Sequence, residues 1–286
     1  MATFFNQATL TFGGNVVNSN TTEAELLSGL SITKDVISTG YDAGSSIVYT
    51  ITLSNMGSTA YNALTVTDDL GAYTIPGGTT TAVPLTYVTG SIQYYLNGVL
   101  QTAPTVTSVG ELQITGINLP ANSTATFIYE TTANEFAPIA AGSAIINTAS
   151  VNGGAGIGVI TDSATINADS EPRLTIAKAV CPAVVTDNGQ LTYTVIVQNL
   201  GNTPVASTDG VIISDVFNPI LSGITVTLDG TALAEGTGYT YNETTGEFAT
   251  TDGTVSVPAA TYTQDPTTGA ITTTPGVTVL TVTGTV

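Results

Sequence analysis

Two lysines dominate the chemistry open to this chain. In LSITKDV, Leu30, Ile32, Lys34 and Val36 share one face of a strand, and in LTIAKAV, Leu174, Ile176, Lys178 and Val180 do the same, because side chains two apart in a strand point the same way. Both faces are apolar, so each ammonium is expected to point into a core. There it must lose its proton or find an acid, since an unpaired buried charge is strongly unfavourable. Acids and amides follow the same alternation. Asp68 comes after Leu64 and Val66, and Asp215 after Val211 and Ile213; Asn147 lies between Ile145 and Ala149, and Asn6 between Phe4 and Ala8.

Two chemistries fit these groups. One is a spontaneous Lys-Asn isopeptide bond, with the amine as nucleophile, a carboxylic acid as proton shuttle and ammonia leaving; it would join Lys34 to Asn147 and Lys178 to Asn6. The other is a buried Lys-Asp ion pair hydrogen-bonded to the asparagine. Glu130 is a second candidate acid in the first half, and Gly284 takes the matching place in the second, which favours the aspartates. Asn55 and Asn199, also inward, are rival amides.

Little else in the composition could turn over a substrate. The 286 residues include no His, no Trp, one Cys and three cations, Lys34, Arg173 and Lys178. Without imidazole there is no proton shuttle near neutral pH, no Ser-His pair and no His metal ligand, so no enzyme activity, cofactor or metal is expected. DNG and TDG turns could bind calcium, but such acidic turns are common in β proteins. A formal charge of −18 repels phosphate, which disfavours nucleic acid and anionic membranes as partners. Cys181 has no partner for a disulfide within the chain. No run approaches the ~18 apolar residues of a membrane helix. MATFFNQATLTFGG lacks the basic start and apolar stretch of a classical signal peptide, so an extracellular destination would need another route, such as lysis of the producing cell.

The elements that must position the lysines are strands. SSIVYTITLSN, ALTVTDDL, SIQYYLNG, LTYTVIVQN and TVLTVTGTV alternate Thr, Val, Ile and Tyr, and 30 Gly and 12 Pro supply turns between them. Only TTEAELLSG could coil into a helical turn. The expected class is all-β, as antiparallel sandwiches.

The chain is also an internal repeat. Residues 30 to 57 align without a gap to residues 174 to 201, so that Leu30, Ile32, Lys34, Val36, Tyr49, Thr50, Asn55 and Gly57 recur 144 positions later. This gives a first repeat over 30–170 and a second over 171–286, with a boundary near NADSEP. The first repeat ends in two further strands within INTASVNGGAGIGVITDSATINAD, whereas the second stops at TVLTVTGTV. The start of the chain resembles the missing piece. Asn6 and Ala8 match Asn147 and Ala149, and Ser19 and Ala24 match Ser163 and Ala168.

Residues 1–22 therefore read as a donor hairpin, with Phe4, Asn6, Ala8, Leu10 and Phe12 on one face, and residues 23–29 as a linker. Inserted into the second repeat of another copy, it would complete that sandwich by strand addition. Such a heterologous contact builds an open homopolymer, a head-to-tail filament. Two alternatives are that the hairpin folds back onto its own second repeat or adds to the first.

LSITKDV, VYTITLSNMGS, LTVTDDLG and INTASV together resemble the domain-of-unknown-function-11 family, a tandem module of bacterial surface proteins. The resemblance covers nearly the whole chain and implies two tandem immunoglobulin-like β-sandwich domains. In mass, 28.9 kDa, and in two-repeat layout the chain is also similar to the proteins of ribbon-like appendages on endospores of anaerobic bacteria. That likeness implies an extracellular place on a spore or cell surface, held by an anchoring protein of unknown identity. A soluble surface adhesin or glycan-binding module is the competing class, for which Tyr239, Tyr241 and Tyr262 are the candidate contact residues.

Overall fold

The computed structural model describes residues 2–26, 29–152 and 158–286, with side chains from Phe5 to Glu23 in the first stretch. The side chain of Phe4 thus lies outside the described residues. Apart from a 3₁₀ turn at Ser207–Asp209, the described regular structure is strand, as the alternation requires. The chain forms two compact units. One comprises Met1–Pro138, Ala144–Asn167 and Pro266–Gly269, and the other Ile139–Ser143, Ala168–Asp265 and Ala270–Val286.

The N-terminal segment is one long hairpin. β1 (Ala2–Asn6) pairs with β4 (Thr22–Leu26), and β2 (Thr9–Phe12) pairs with β3 (Asn15–Asn18). Its tip is Gly13-Gly14, with φ of 56° and 79°, the left-handed pair that a two-residue primed turn needs. β4 takes in residues expected to be linker or helical turn, because their backbone pairs with β1. The hairpin has no strand partner outside itself among the described residues. Phe5, Leu10, Phe12, Val16 and Val17 are 61% to 81% exposed.

The rest of the first unit runs β5 (Leu30–Val36), β6 (Ser46–Asn55), β7 (Tyr61–Asp68), β8 (Tyr73–Thr74), β9 (Thr81–Ala82), β10 (Leu85–Tyr87), β11 (Gln93–Leu96), β12 (Val99–Gln101), β13 (Thr105–Ser108), β14 (Leu112–Leu119), β15 (Ser123–Ala133), β16 (Ala144–Asn152) and β17 (Val159–Asn167). It is an immunoglobulin-like sandwich. One sheet has the order β12-β11-β15-β6-β5, with β10 also on β15, and the other β13-β14-β7-β16-β17. β6 and β15 alternate along their whole length. They bury Ile47, Tyr49, Ile51 and Leu53 against Ala125, Phe127 and Tyr129. The edges of the two sheets are tied where Asp162 Oδ2 on β17 accepts the Lys34 backbone N–H on β5 at 2.7 Å.

The second unit runs β18 (Leu174–Cys181), β19 (Gln190–Asn199), β20 (Ser214–Val216), β21 (Ser222–Leu228), β22 (Thr231–Leu233), β23 (Tyr239–Tyr241), β24 (Glu247–Thr250), β25 (Thr261–Gln264), β26 (Ile271–Thr274) and β27 (Gly276–Thr285). Its sheets are β18-β19-β27-β21-β22 and β20-β24-β23, with β25–β26 as a separate hairpin. The core gathers Val195, Val197, Phe217, Leu221, Phe248, Val257, Leu280 and Val282. The repeat holds at the level of register: Lys34 faces Ile51 across β5–β6, and Lys178 faces Val195 across β18–β19.

The units differ at one place. In the first, β7 lies between β14 and β16; in the second, its counterpart β20 pairs with β24 alone among the described residues. Among the described residues the first unit's β16–β17 has no equivalent in the second, and β18, the counterpart of the strand it covers, is exposed along its length. Leu30 and Ile32 are 2% and 8% exposed, whereas Leu174 and Ile176 are 41% and 66% exposed.

Candidate functional site

The first unit brings the expected groups into one buried cluster. β5 carries Lys34 inward, β7 carries Asp68 and β16 carries Asn147; Lys34 is 3% exposed and the other two are fully buried. Lys34 Nζ is ion-paired with Asp68 Oδ2 and donates to the Tyr129 hydroxyl at 3.0 Å. Tyr129 donates in turn to the same carboxylate oxygen, while the Leu70 N–H donates to the other at 2.9 Å. The ammonium lies 5.0 Å from the ring centre of Tyr49. Asn147 closes the group: Gly71 N–H donates to its Oδ1 at 3.2 Å, and its Nδ2 has no hydrogen bond. The Tyr49 hydroxyl is also without a hydrogen bond of good geometry, although Asn147 is near enough to ease its ionisation.

This geometry contains the parts of an amide exchange. The Gly71 N–H polarises the carbonyl as an oxyanion donor would, the amide nitrogen that would leave makes no hydrogen bond of good geometry although the Tyr49 and Tyr129 hydroxyls are near it, and an acid touches the amine. Glu130 is not among these groups. It lies on the other face of β15, where it accepts from Ser46 Oγ; the apolar alternation of Ala125, Phe127 and Tyr129 turns it outward. Its counterpart is Thr283 and not Gly284, since Glu130 pairs with Val48 and Thr283 with Thr192. Asn55 and Asn199 are occupied elsewhere. Asn55 Nδ2 donates to the carbonyls of Thr59 and Pro120, both at 2.8 Å, and Asn199 Nδ2 to that of Thr203 at 2.8 Å. Both therefore fasten loops at strand ends.

The second unit holds half of the same site. Lys178 is ion-paired with Asp215, their side chains 39% and 21% exposed, and Asp215 Oδ2 makes no hydrogen bond of good geometry. The ammonium stacks 4.4 Å from the Tyr193 ring centre and 5.2 Å from that of Phe217. Val282 stands across from Tyr193 where Tyr129 stands across from Tyr49. Asn6, Ala8, Leu10 and Phe12 are all exposed on the hairpin. Tyr129, Gly71 and Asp162 were absent from the sequence expectations. Of these, the inward parity of β15 could have found Tyr129.

Burial pushes the Lys34 ammonium below its ordinary 10.5, against Asp68, Asp69 and Asp162, which hold the proton on. Burial, reinforced by Asp68, pushes the Tyr49 and Tyr129 hydroxyls up from 10.0. Between the lowered lysine value and 10.5 the unfolded chain binds more protons, so stability rises with pH. Above 10 the folded tyrosines keep protons that the unfolded chain loses, so stability falls. An Asn147→Ala chain, unable to form an amide with Lys34, should therefore show a first-unit melting temperature that climbs towards pH 10 and drops beyond it. Adding Lys34→Met should remove the climb. A climb that persists without Lys34 would assign it to another group.

The tyrosines considered for glycan contact have structural roles. Tyr239 is buried, Tyr241 exchanges hydrogen bonds with the Leu221 backbone at 2.9 and 2.8 Å, and Tyr262 donates to the Leu200 carbonyl at 3.0 Å. Among the described residues no cluster of three or more His, Cys, Asp or Glu is placed to hold a metal, and no helix is long and apolar enough to cross a membrane.

No family model and no curated protein sequence matches the chain. Among solved structures it is similar in fold to surface pilins and adhesin domains. The pilus backbone RrgB of Streptococcus pneumoniae aligns at a TM-score of 0.35 and 13% identity, over 87% of this chain and 55% of that one. The major pilin subunit BcpA of Bacillus cereus aligns at 0.34 and 10%, over 96% and 73%. The collagen-binding domain of RspB from Erysipelothrix rhusiopathiae aligns at 0.30 and 14%, over 58% and 60%. The chain thus spans less than two thirds of the first and third of these.

Proposed function

We propose that the chain is a non-enzymatic structural subunit of an extracellular filament on a spore or cell surface, assembled head to tail by donor-strand complementation. The observation that carries this reading is the bare β18 face and open β20 edge of the second unit. The strands lacking there are those whose sequence the exposed N-terminal hairpin repeats. Covering Leu174, Ile176 and Val180, which are 41% to 66% exposed, would contribute about 1 kcal/mol each, roughly half of what burying a fully exposed side chain gives, and the hairpin's own apolar residues would add to that. An edge and an apolar face left open together are what strand addition uses. Donor and acceptor are different surfaces, so the contact propagates. The surface location follows from the resemblance of the two repeats to bacterial surface modules, and an anchoring protein completes the picture.

Isopeptide bonds would reinforce the assembly. The neutral Lys Nζ attacks the asparagine Cγ, the Cγ–Nδ2 bond breaks, and the aspartate carries the amine proton to the departing ammonia. Lys34 would react with Asn147 in one chain, and Lys178 with Asn6 of the next.

Electron microscopy of the purified full chain tests the assembly: filaments are expected, and uniform single particles would overturn it. Trypsin gives a second readout. Lys34 is buried, but Lys178 and Arg173 are exposed in the isolated chain. Filaments should survive a digestion that cuts unassembled subunits after Arg173 or Lys178; equal cleavage of both would count against coverage of β18.

A further inference from the structure

The tie between Asp162 and the Lys34 backbone points to a residue that sets the subunit junction. Lys34 sits on an edge strand, and its N–H points away from β6 to meet Asp162 Oδ2 at 2.7 Å. Lys178 occupies the same place on β18, in the same register, and β18 lacks a covering strand pair. Residues 158–168, which contain Asp162, align without a gap to residues 14–24, with Gly14, Ser19, Thr21 and Ala24 repeating Gly158, Ser163, Thr165 and Ala168. The backbone agrees: Gly158 and Gly14, each just before its strand, have φ of 74° and 79°. Asn18 therefore stands where Asp162 stands, and its carboxamide oxygen can accept the same bond that the carboxylate does.

We infer that Asn18 of a neighbouring copy accepts the backbone N–H of Lys178 and so fixes the register of the inserted hairpin. This rests on the donor-strand reading above. In the isolated chain Asn18 faces Thr9, whose hydroxyl donates to Asn18 Oδ1 at 3.0 Å. In β16–β17, Asp162 faces Ala149, the counterpart of Ala8. Docking thus shifts β2 against β3 by one residue and, since Asn6 faces Thr22 here while Asn147 faces Ala164, the counterpart of Asn20, β1 against β4 by two. The one-residue slip changes which side chains share a face, and Asn18 leaves the side of Thr9 and joins Ala8.

Hydrogen exchange resolved at the Lys178 amide tests the inference, using filaments of the full chain and of Asn18→Ala and Asn18→Asp variants. The Lys178 amide should be protected in wild-type filaments, exchange roughly tenfold faster in Asn18→Ala, and be protected again in Asn18→Asp. If Asn18→Ala fails to polymerise, rescue by Asn18→Asp supports the inference and failure of both variants overturns it. Asn18→Ala filaments with Lys178 as protected as in wild type would overturn the inference and leave donor-strand assembly standing. Absence of filaments from the wild-type chain would remove the reading and the inference together.

Discussion

Deletion of residues 1–26 is expected to leave monodisperse subunits where the full chain gives filaments. Among the described residues the hairpin makes no strand pairing outside itself, and the first unit's two sheets and buried lysine site are built from Leu30 onwards. The first unit should therefore keep its melting transition. The second unit should melt early and irreversibly aggregate, because Leu174, Ile176 and Val180 stay in water with no donor to cover them. Returning the hairpin to the other end of the deleted chain, after Val286 through a Gly-rich linker, should instead give a self-complemented monomer. The linker holds donor and acceptor at an effective concentration of about millimolar, and once the groove is filled from within no second copy can enter. Filaments of normal length from the deleted chain would sink the idea, and so would a grafted chain that still polymerises.

The features that support this test differ in how openly the sequence displays them. The inward place of Lys34 was legible because a strand's period of two is strict; the repeat gives Leu174, Ile176 and Lys178 the same parity and register, but the Lys178 side chain, expected in a core, is 39% exposed because no strand covers β18. The bare acceptor strand was legible for the same reason, as a difference between two copies of one pattern. Glu130 was misread because an acid beside an apolar strand looks like a partner for a buried amine; only the parity of Phe127 and Tyr129 shows that it points outward. Residues 23–26 looked like linker because Glu, Ala and Leu favour helix in isolation, and pairing with β1 overrides that preference. Asp162 and Gly71 could not be found from the sequence. One acts on a backbone amide and the other through its own, and neither kind of contact leaves a side-chain pattern.

Boiled filaments of the full chain are expected to run as a ladder or as material too large for a gel, whereas the Lys178→Ala variant should run as 28.9 kDa monomers. The two lysines have alike chemistry but different reach. Lys34 meets Asp68 and Tyr129 in a cluster that already contains Asn147 of the same chain, so an amide there locks a single unit. Lys178 has its acid, Asp215, but Asn6 is exposed on the hairpin. The amide it forms on hairpin insertion joins one copy to the next, and repetition of that bond makes the filament one covalent molecule. Each bond releases ammonia, so mass spectrometry of digested filaments should find a loss of about 17 Da for every linked pair. Lys34→Met should abolish the loss at Asn147 and leave the ladder intact. Asp215→Asn should leave filaments that fall to monomers on boiling, since hairpin insertion does not need the acid but the proton transfer does. Wild-type filaments that boil to 28.9 kDa chains with no mass loss would show that neither amide forms. The lysines would then act as ion pairs alone: removing Asp68 would leave a charge buried at a cost of about 3–5 kcal/mol, and removing Asp215, whose partner Lys178 is 39% exposed, would cost less.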